Sequence, residues 1–169
     1  MNTLNFKSVF LGQCIIKYQV PLDIFTSINN IYEQNYNSLA PANGQLVGKI
    51  EKEHSLFYHG EDQTKMKNHN FLPKNVTDYF MQVFNHYLNF NAIRDYKTHL
   101  NSIWVNEMKQ HEYNPAHVHR GMLYTGLSSV MILKLPSTYG KEYSAAHVQQ
   151  NGRLQILGAA NGQFAKIDY

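Results

Sequence analysis

Alternation of apolar and polar positions opens the chain. Over 9–20, Cys14, Ile16, Tyr18 and Val20 fall on one side of an extended run, which predicts a strand. Pro21 ends it and stands where a helix can begin. Ile24, Phe25, Ile28, Ile31 and Tyr32 then recur at helical spacing and predict a first helix from Leu22. Between 35 and 70 the periodicity gives way to Asn, Gly, Ser and charged residues. Only Ser55-Leu56-Phe57-Tyr58 reads there as a short strand, and the rest reads as loop. Pro73 opens a second helix, whose stripe of Val76, Tyr79, Phe80, Val83, Tyr87 and Leu88 predicts a buried face; His86 lies off that stripe and is expected at the surface.

After Asn91 the pattern is one of strands alone. A strand is expected over 102–108 with Trp104 in the core, and another over 122–135, where Val130-Met131-Ile132-Leu133 is closed by Pro136. A turn-rich connection over 137–146 leads to strands at 153–157 and 163–169, joined by a hairpin-like turn at 158–162. Helices early and antiparallel strands late predict an α+β fold, mainly β. The expected core is a sandwich or barrel with the N-terminal helices packed on one sheet. The chain reads as a single domain, with helices and a long loop up to 101 and the β-core over 102–169.

Composition narrows the class. The 169 residues are 43% hydrophobic and 16% charged, the balance of a globular domain long enough to bury roughly 70% of its unfolded surface. No apolar run approaches the ~18 residues that would span a bilayer, and the first residues lack the basic-then-apolar layout of a signal peptide. The net charge of +3 comes from scattered Lys and Arg, so no nucleic-acid stripe is expected. Cys14 is the only cysteine, and it is expected to be a buried small hydrophobe in a strand. Together these features predict a cytoplasmic protein without membrane or nucleic-acid partners. Nine histidines raise the expectation of a metal site.

The chemistry-bearing segment is Trp104-Val105-Asn106-Glu107-Met108, followed by His111-Glu112-Tyr113-Asn114-Pro115-Ala116-His117-Val118-His119-Arg120-Gly121. His117 and His119 are two apart, and on a strand such residues share a face. Two imidazoles so placed can converge on one metal at about 2.0–2.1 Å. A TIM-barrel hydrolase would need about 250 residues and alternating β/α units. A metallo-β-lactamase would need an Asp and a further His directly after the pair, where this chain has Arg120, Gly121 and Met122. Tyr113 and Tyr124 flank the pair, with ring packing as the simplest role. His111 is expected to be solvated, and His54, His59, His69 and His99 sit among polar residues and are expected at the surface.

The whole segment from Trp104 to Gly121, with the apolar strand closed by Leu135-Pro136, resembles the 2-oxoglutarate- and Fe(II)-dependent oxygenases of the prolyl-hydroxylase-like superfamily, including small members from marine phages and bacteria. The resemblance is strongest over 102–136 and looser on both sides. It implies a double-stranded β-helix (jelly roll, cupin-like), an iron held by two histidines and a carboxylate, and open positions for 2-oxoglutarate and oxygen. It also implies a hydroxylase-type oxidation of a small-molecule or peptide substrate.

By the resemblance, His117 takes the first-histidine position, His119 stands where the family carries its carboxylate, and Tyr113 and Tyr124 lie toward the co-substrate. An imidazole at 119 removes a negative charge, which favours zinc, nickel or copper over ferrous iron. The family's distal histidine and the basic residue after it find no position in this sequence, and His147 comes too early for the distal role. The chain is therefore expected to bind iron weakly, to turn over 2-oxoglutarate slowly or not at all, and to cover open sheet edges by homo-oligomerisation. The alternatives are a non-catalytic β-sandwich binding or structural protein on the same scaffold, and a cupin-like metal-binding protein.

Overall fold

A computed structural model describes residues 4–10, 14–45, 47–60, 63–64, 66–115, 117, 126–138, 152–160 and 163–168. Two helices and antiparallel strands make it α+β, mainly by strands. The chain divides into two compact units. One comprises Met1–Leu4 and Tyr18–Ser128, the other Asn5–Lys17 and Ser129–Tyr169.

The larger unit holds both helices and a four-stranded sheet. Helix α1 spans Leu22–Asn35 behind Pro21, whose carbonyl accepts the first helical bond from the Phe25 amide at 3.0 Å. Ile24 and Ile28 are its buried residues, one turn apart as the stripe requires. Helix α2, Lys74–Phe90, starts behind Pro73 in the same way and buries Val76, Tyr79, Val83 and Leu88. Phe80 and Tyr87, also expected in the buried stripe, are only partly buried. At its end the Ile93 amide donates back to the Leu88 carbonyl at 3.0 Å, with Ala92 left-handed at φ 56°. That is the geometry usually given to glycine.

The sheet departs from the sequence expectation. The stretch 35–70 holds more strand than the short run expected at 55–58. It contains β3 (Ala40–Pro41), β4 (Lys52–Tyr58) and β5 (His69–Asn70), and β4 pairs antiparallel with β3, β5 and β6 (Ser102–Glu107). The short strand expected at 55–58 is the second half of β4, and the first half escaped detection because polar residues fill the buried positions. Glu53 is 7% exposed and Ser55 2%, so no apolar alternation marks it. A register shift between Ser55 and Phe57 opens the β4–β6 ladder, and Leu56, within that shift, is fully buried.

The cross-strand pairs Lys52↔Glu107 and His54↔Val105 place Lys52, His54 and Glu107 on one face, and Glu53, Ser55 and Trp104 on the other. Trp104 is not a core residue, with 37% of its surface exposed. Leu39, Ile50, Leu56 and Leu72 join the helix residues in the core.

In the smaller unit, β1 (Phe6–Phe10) pairs with β2 (Cys14–Tyr18), whose last residue belongs to the larger unit. The one strand expected over 9–20 is thus replaced by two, and Cys14 is buried as anticipated. Strands β7 (Gln155–Ala160) and β8 (Gln163–Asp168) form an antiparallel pair from Gln155↔Asp168 to Ala160↔Gln163. The hairpin expected there is present, with Gly158, Ala159 and Ala160 in the strand and not in the turn. The strand expected over 122–135 is absent from its described part. Residues 126–138 form no ladder with other described residues, and Val130 and Ile132 are 64% and 53% exposed.

Candidate functional site

The histidine-bearing segment leaves the end of β6 and folds back on the approach to β4. A tight turn follows Lys109, in which the Glu112 amide donates to the Lys109 carbonyl at 3.1 Å and His111 is left-handed at φ 66°. The Glu112 carboxylate accepts from the Lys109 amide at 2.7 Å and from the Glu51 amide at 3.0 Å. These backbone donors, Lys109 first, hold its carboxyl below the usual carboxylate range. Next, Tyr113 and Lys49 exchange both backbone bonds, at 3.1 and 2.9 Å, in an isolated antiparallel bridge. The Tyr113 ring is 57% exposed.

Beyond the bridge, His117 Nδ1 lies 2.8 Å from the Pro115 carbonyl oxygen, and His117 is exposed. A carbonyl only accepts, so Nδ1 is the donor in this bond. Metal-ligating histidines characteristically donate their second nitrogen in this way, so the ring fits the role of a single ligand. The carboxylates nearest in the sequence do not complete a triad: Glu112 is held by backbone amides and Glu107 by tyrosine hydroxyls. Among the described residues, no three His, Cys, Asp or Glu side chains are grouped to hold a metal. His119 and Tyr124 lie outside the described residues, as does the face expected to be shared by His117 and His119.

A second constellation was not anticipated. Tyr32 and Tyr36, one turn apart at the end of α1 and in the 3-10 turn that follows, reach the sheet face carrying Lys52, His54 and Glu107. The Tyr32 hydroxyl donates to Glu107 Oε1 at 2.9 Å and lies 2.9 Å from His54 Nδ1. With its single proton given to the carboxylate, the Tyr32 oxygen accepts from the His54 Nδ1–H. Tyr36 donates to Glu107 Oε2 at 3.4 Å and accepts from Lys52 Nζ. The Tyr36 and His54 rings meet edge to face at 4.9 Å. Burial first, then the bond to Glu107, pushes the Tyr32 hydroxyl above the ordinary tyrosine range. The bond from Lys52 to Tyr36 raises the Lys52 ammonium. The only sequence signals for this network were the four-residue spacing of the tyrosines and the two-residue spacing of Lys52 and His54.

His54 is therefore not a free surface residue, and the same holds for His69 and His86. His69 Nδ1 donates to the Lys67 carbonyl at 2.9 Å, and Nε2 lies 2.8 Å from the Ser55 hydroxyl. With Ser55 2% exposed, this pair fastens β5 to β4 and presents no nucleophile to solvent. His86 lies 2.7 Å from the Tyr18 hydroxyl through Nδ1 and stacks on Phe90. His59, His99 and His111 are exposed as expected. No helix among the described residues is long and apolar enough to cross a membrane. No family model, curated protein or solved structure matches this chain.

Proposed function

We propose that the chain carries the metal-site part of a 2-oxoglutarate- and Fe(II)-dependent oxygenase, with a double-stranded β-helix as its full architecture. In this proposal His117 is a metal ligand, and His119 stands at the carboxylate position. Tyr113 and Tyr124 lie toward the co-substrate. The observation that carries the reading is the presentation of His117, exposed and with Nδ1 turned to the Pro115 carbonyl. The sequence resemblance over 102–136 supports it, as does the antiparallel pairing of β6 that leads into the segment.

A bound iron would supply activation of dioxygen, the oxidant, one oxygen atom of which would hydroxylate a carbon–hydrogen bond while the other enters succinate as 2-oxoglutarate loses carbon dioxide. The chain's own part is to hold an imidazole nitrogen toward the metal and the Tyr113 hydroxyl toward an oxoacid. The substrate class remains a small molecule or peptide.

Anaerobic calorimetry with ferrous iron and 2-oxoglutarate, paired with a succinate-release assay, tests the proposal on this chain and on His117→Ala. Weak iron binding that disappears in His117→Ala is the expected outcome, with slow succinate release or none. Iron binding equal in the two proteins would overturn it.

A further inference from the structure

We infer that Gly48 and Glu112 are positioning residues for His117, forming a clamp that seats the histidine segment against the approach to β4. The inference rests on the proposed assignment of His117 to the metal.

Gly48 is where the two chain segments come closest. A Cβ there would lie 2.1 Å from the Tyr113 carbonyl oxygen, 2.8 Å from Cδ of Pro115 and 2.9 Å from Cα of Asn114. Two of these are backbone atoms, so relief requires the segments to part. The approach also permits the reciprocal Lys49–Tyr113 bonds, whose geometry depends on the same separation. Glu112 closes the clamp from the other side. One carboxylate oxygen holds the amide of Glu51 near the start of β4, and the other holds the amide of Lys109 in the preceding turn.

Only Asn114, Pro115 and Ala116 separate this anchor from His117, and Pro115 both touches Gly48 and accepts the His117 bond. Proline fixes φ in the middle of that short span. The imidazole is thereby placed relative to the β4–β6 sheet. Without the clamp it would trail from the end of β6 on a free chain whose ordering opposes metal capture.

The test uses zinc ion alone as the probe, measured by calorimetry, with amide hydrogen exchange at Lys49 and Tyr113 and urea midpoints on the same proteins. Gly44→Ala is the control, since a Cβ at Gly44 meets nothing within 4 Å. Gly48→Ala is expected to lose protection at the Lys49 and Tyr113 amides. Its zinc affinity should fall roughly 10- to 100-fold, the usual effect of removing a supporting contact behind a ligand, while Gly44→Ala behaves as wild type. Glu112→Gln keeps one acceptor and should fall between wild type and Glu112→Ala in zinc affinity.

If Gly48→Ala loses amide protection yet binds zinc normally, the clamp does not position His117 and the inference fails, with the site assignment intact. Unchanged amide protection in Gly48→Ala would equally overturn it. Identical zinc binding by wild type and His117→Ala would remove the assignment itself, and the inference with it. Should Gly48→Ala not fold, the graded Glu112 series decides, and a flat series overturns the clamp.

Discussion

The hydroxyl of Tyr32, on helix α1, donates to the Oε1 of Glu107, at the end of β6, across 2.9 Å. These residues are far apart in sequence, and their bond joins the helix to the sheet edge from which the histidine segment departs. His54 adds a second bond to the same hydroxyl, so removing the oxygen strands two partners in a half-buried setting. Tyr32→Phe should cost about 1 kcal/mol in urea unfolding. A double-mutant cycle with Glu107→Gln should show a coupling of about 0.5 kcal/mol or more. Additive effects would show the bond to be energetically idle.

The same hydroxyl carries an alkaline signature. Its pKa is raised in the folded state, so the fold retains a proton that the unfolded chain releases near pH 10. Stability is therefore expected to fall as pH rises through the ordinary tyrosine range, and the slope should be shallower in Tyr32→Phe. Urea midpoints measured between pH 8 and about pH 11 check this.

Glu53 gives an opposite lesson at acid pH. Its Oε2 is buried with no hydrogen-bond partner among the described residues, and burial raises its carboxyl above the usual range. A raised carboxyl binds its proton more tightly in the fold, so this group's contribution is most favourable below the unfolded pKa and is lost as pH rises through the folded value. Glu53→Gln should therefore be more stable than wild type at neutral pH. The difference should shrink toward pH 4 in parallel urea titrations. A variant less stable than wild type at neutral pH would show that the carboxylate has a partner in solution.

Leu56 is fully buried within the β4 register shift. Leu56→Ala should destabilise the larger unit by about 2–5 kcal/mol, the range for a leucine removed from a packed core. Ala92, left-handed behind α2, offers the reverse: Ala92→Gly should raise stability by roughly 0.5–1 kcal/mol, because glycine takes that conformation without steric cost. Thermal and urea unfolding measure both.

We propose that this chain self-associates through exposed apolar residues. Val130, Ile132 and Leu135 are exposed in a stretch that forms no ladder with other described residues, and exposed apolar surface favours pairing with another chain. Light scattering at micromolar concentration should show an assembly larger than one chain, shifted toward monomer in Ile132→Lys. A monomeric wild type would refute the proposal.

Local order in this protein was written where apolar spacing is regular. Proline at 21 and 73, followed by stripes at helical period, determined both helices, because an amphipathic helix announces its buried face in its own spacing. The β7–β8 hairpin was legible for a similar reason. Tertiary structure alone decided the centre of the sheet. Strand β4 buries Glu53 and Ser55 and turns Lys52 and His54 toward Tyr32 and Tyr36, so only its last four residues read as a strand in the sequence. It decided the surroundings of His117 as well. The resemblance singled out that histidine, but its anchor lies in Gly48 and Lys49, which no motif links to it. A glycine whose absent side chain makes room for another segment leaves no periodic trace, because the reason for it lies in the segment it meets.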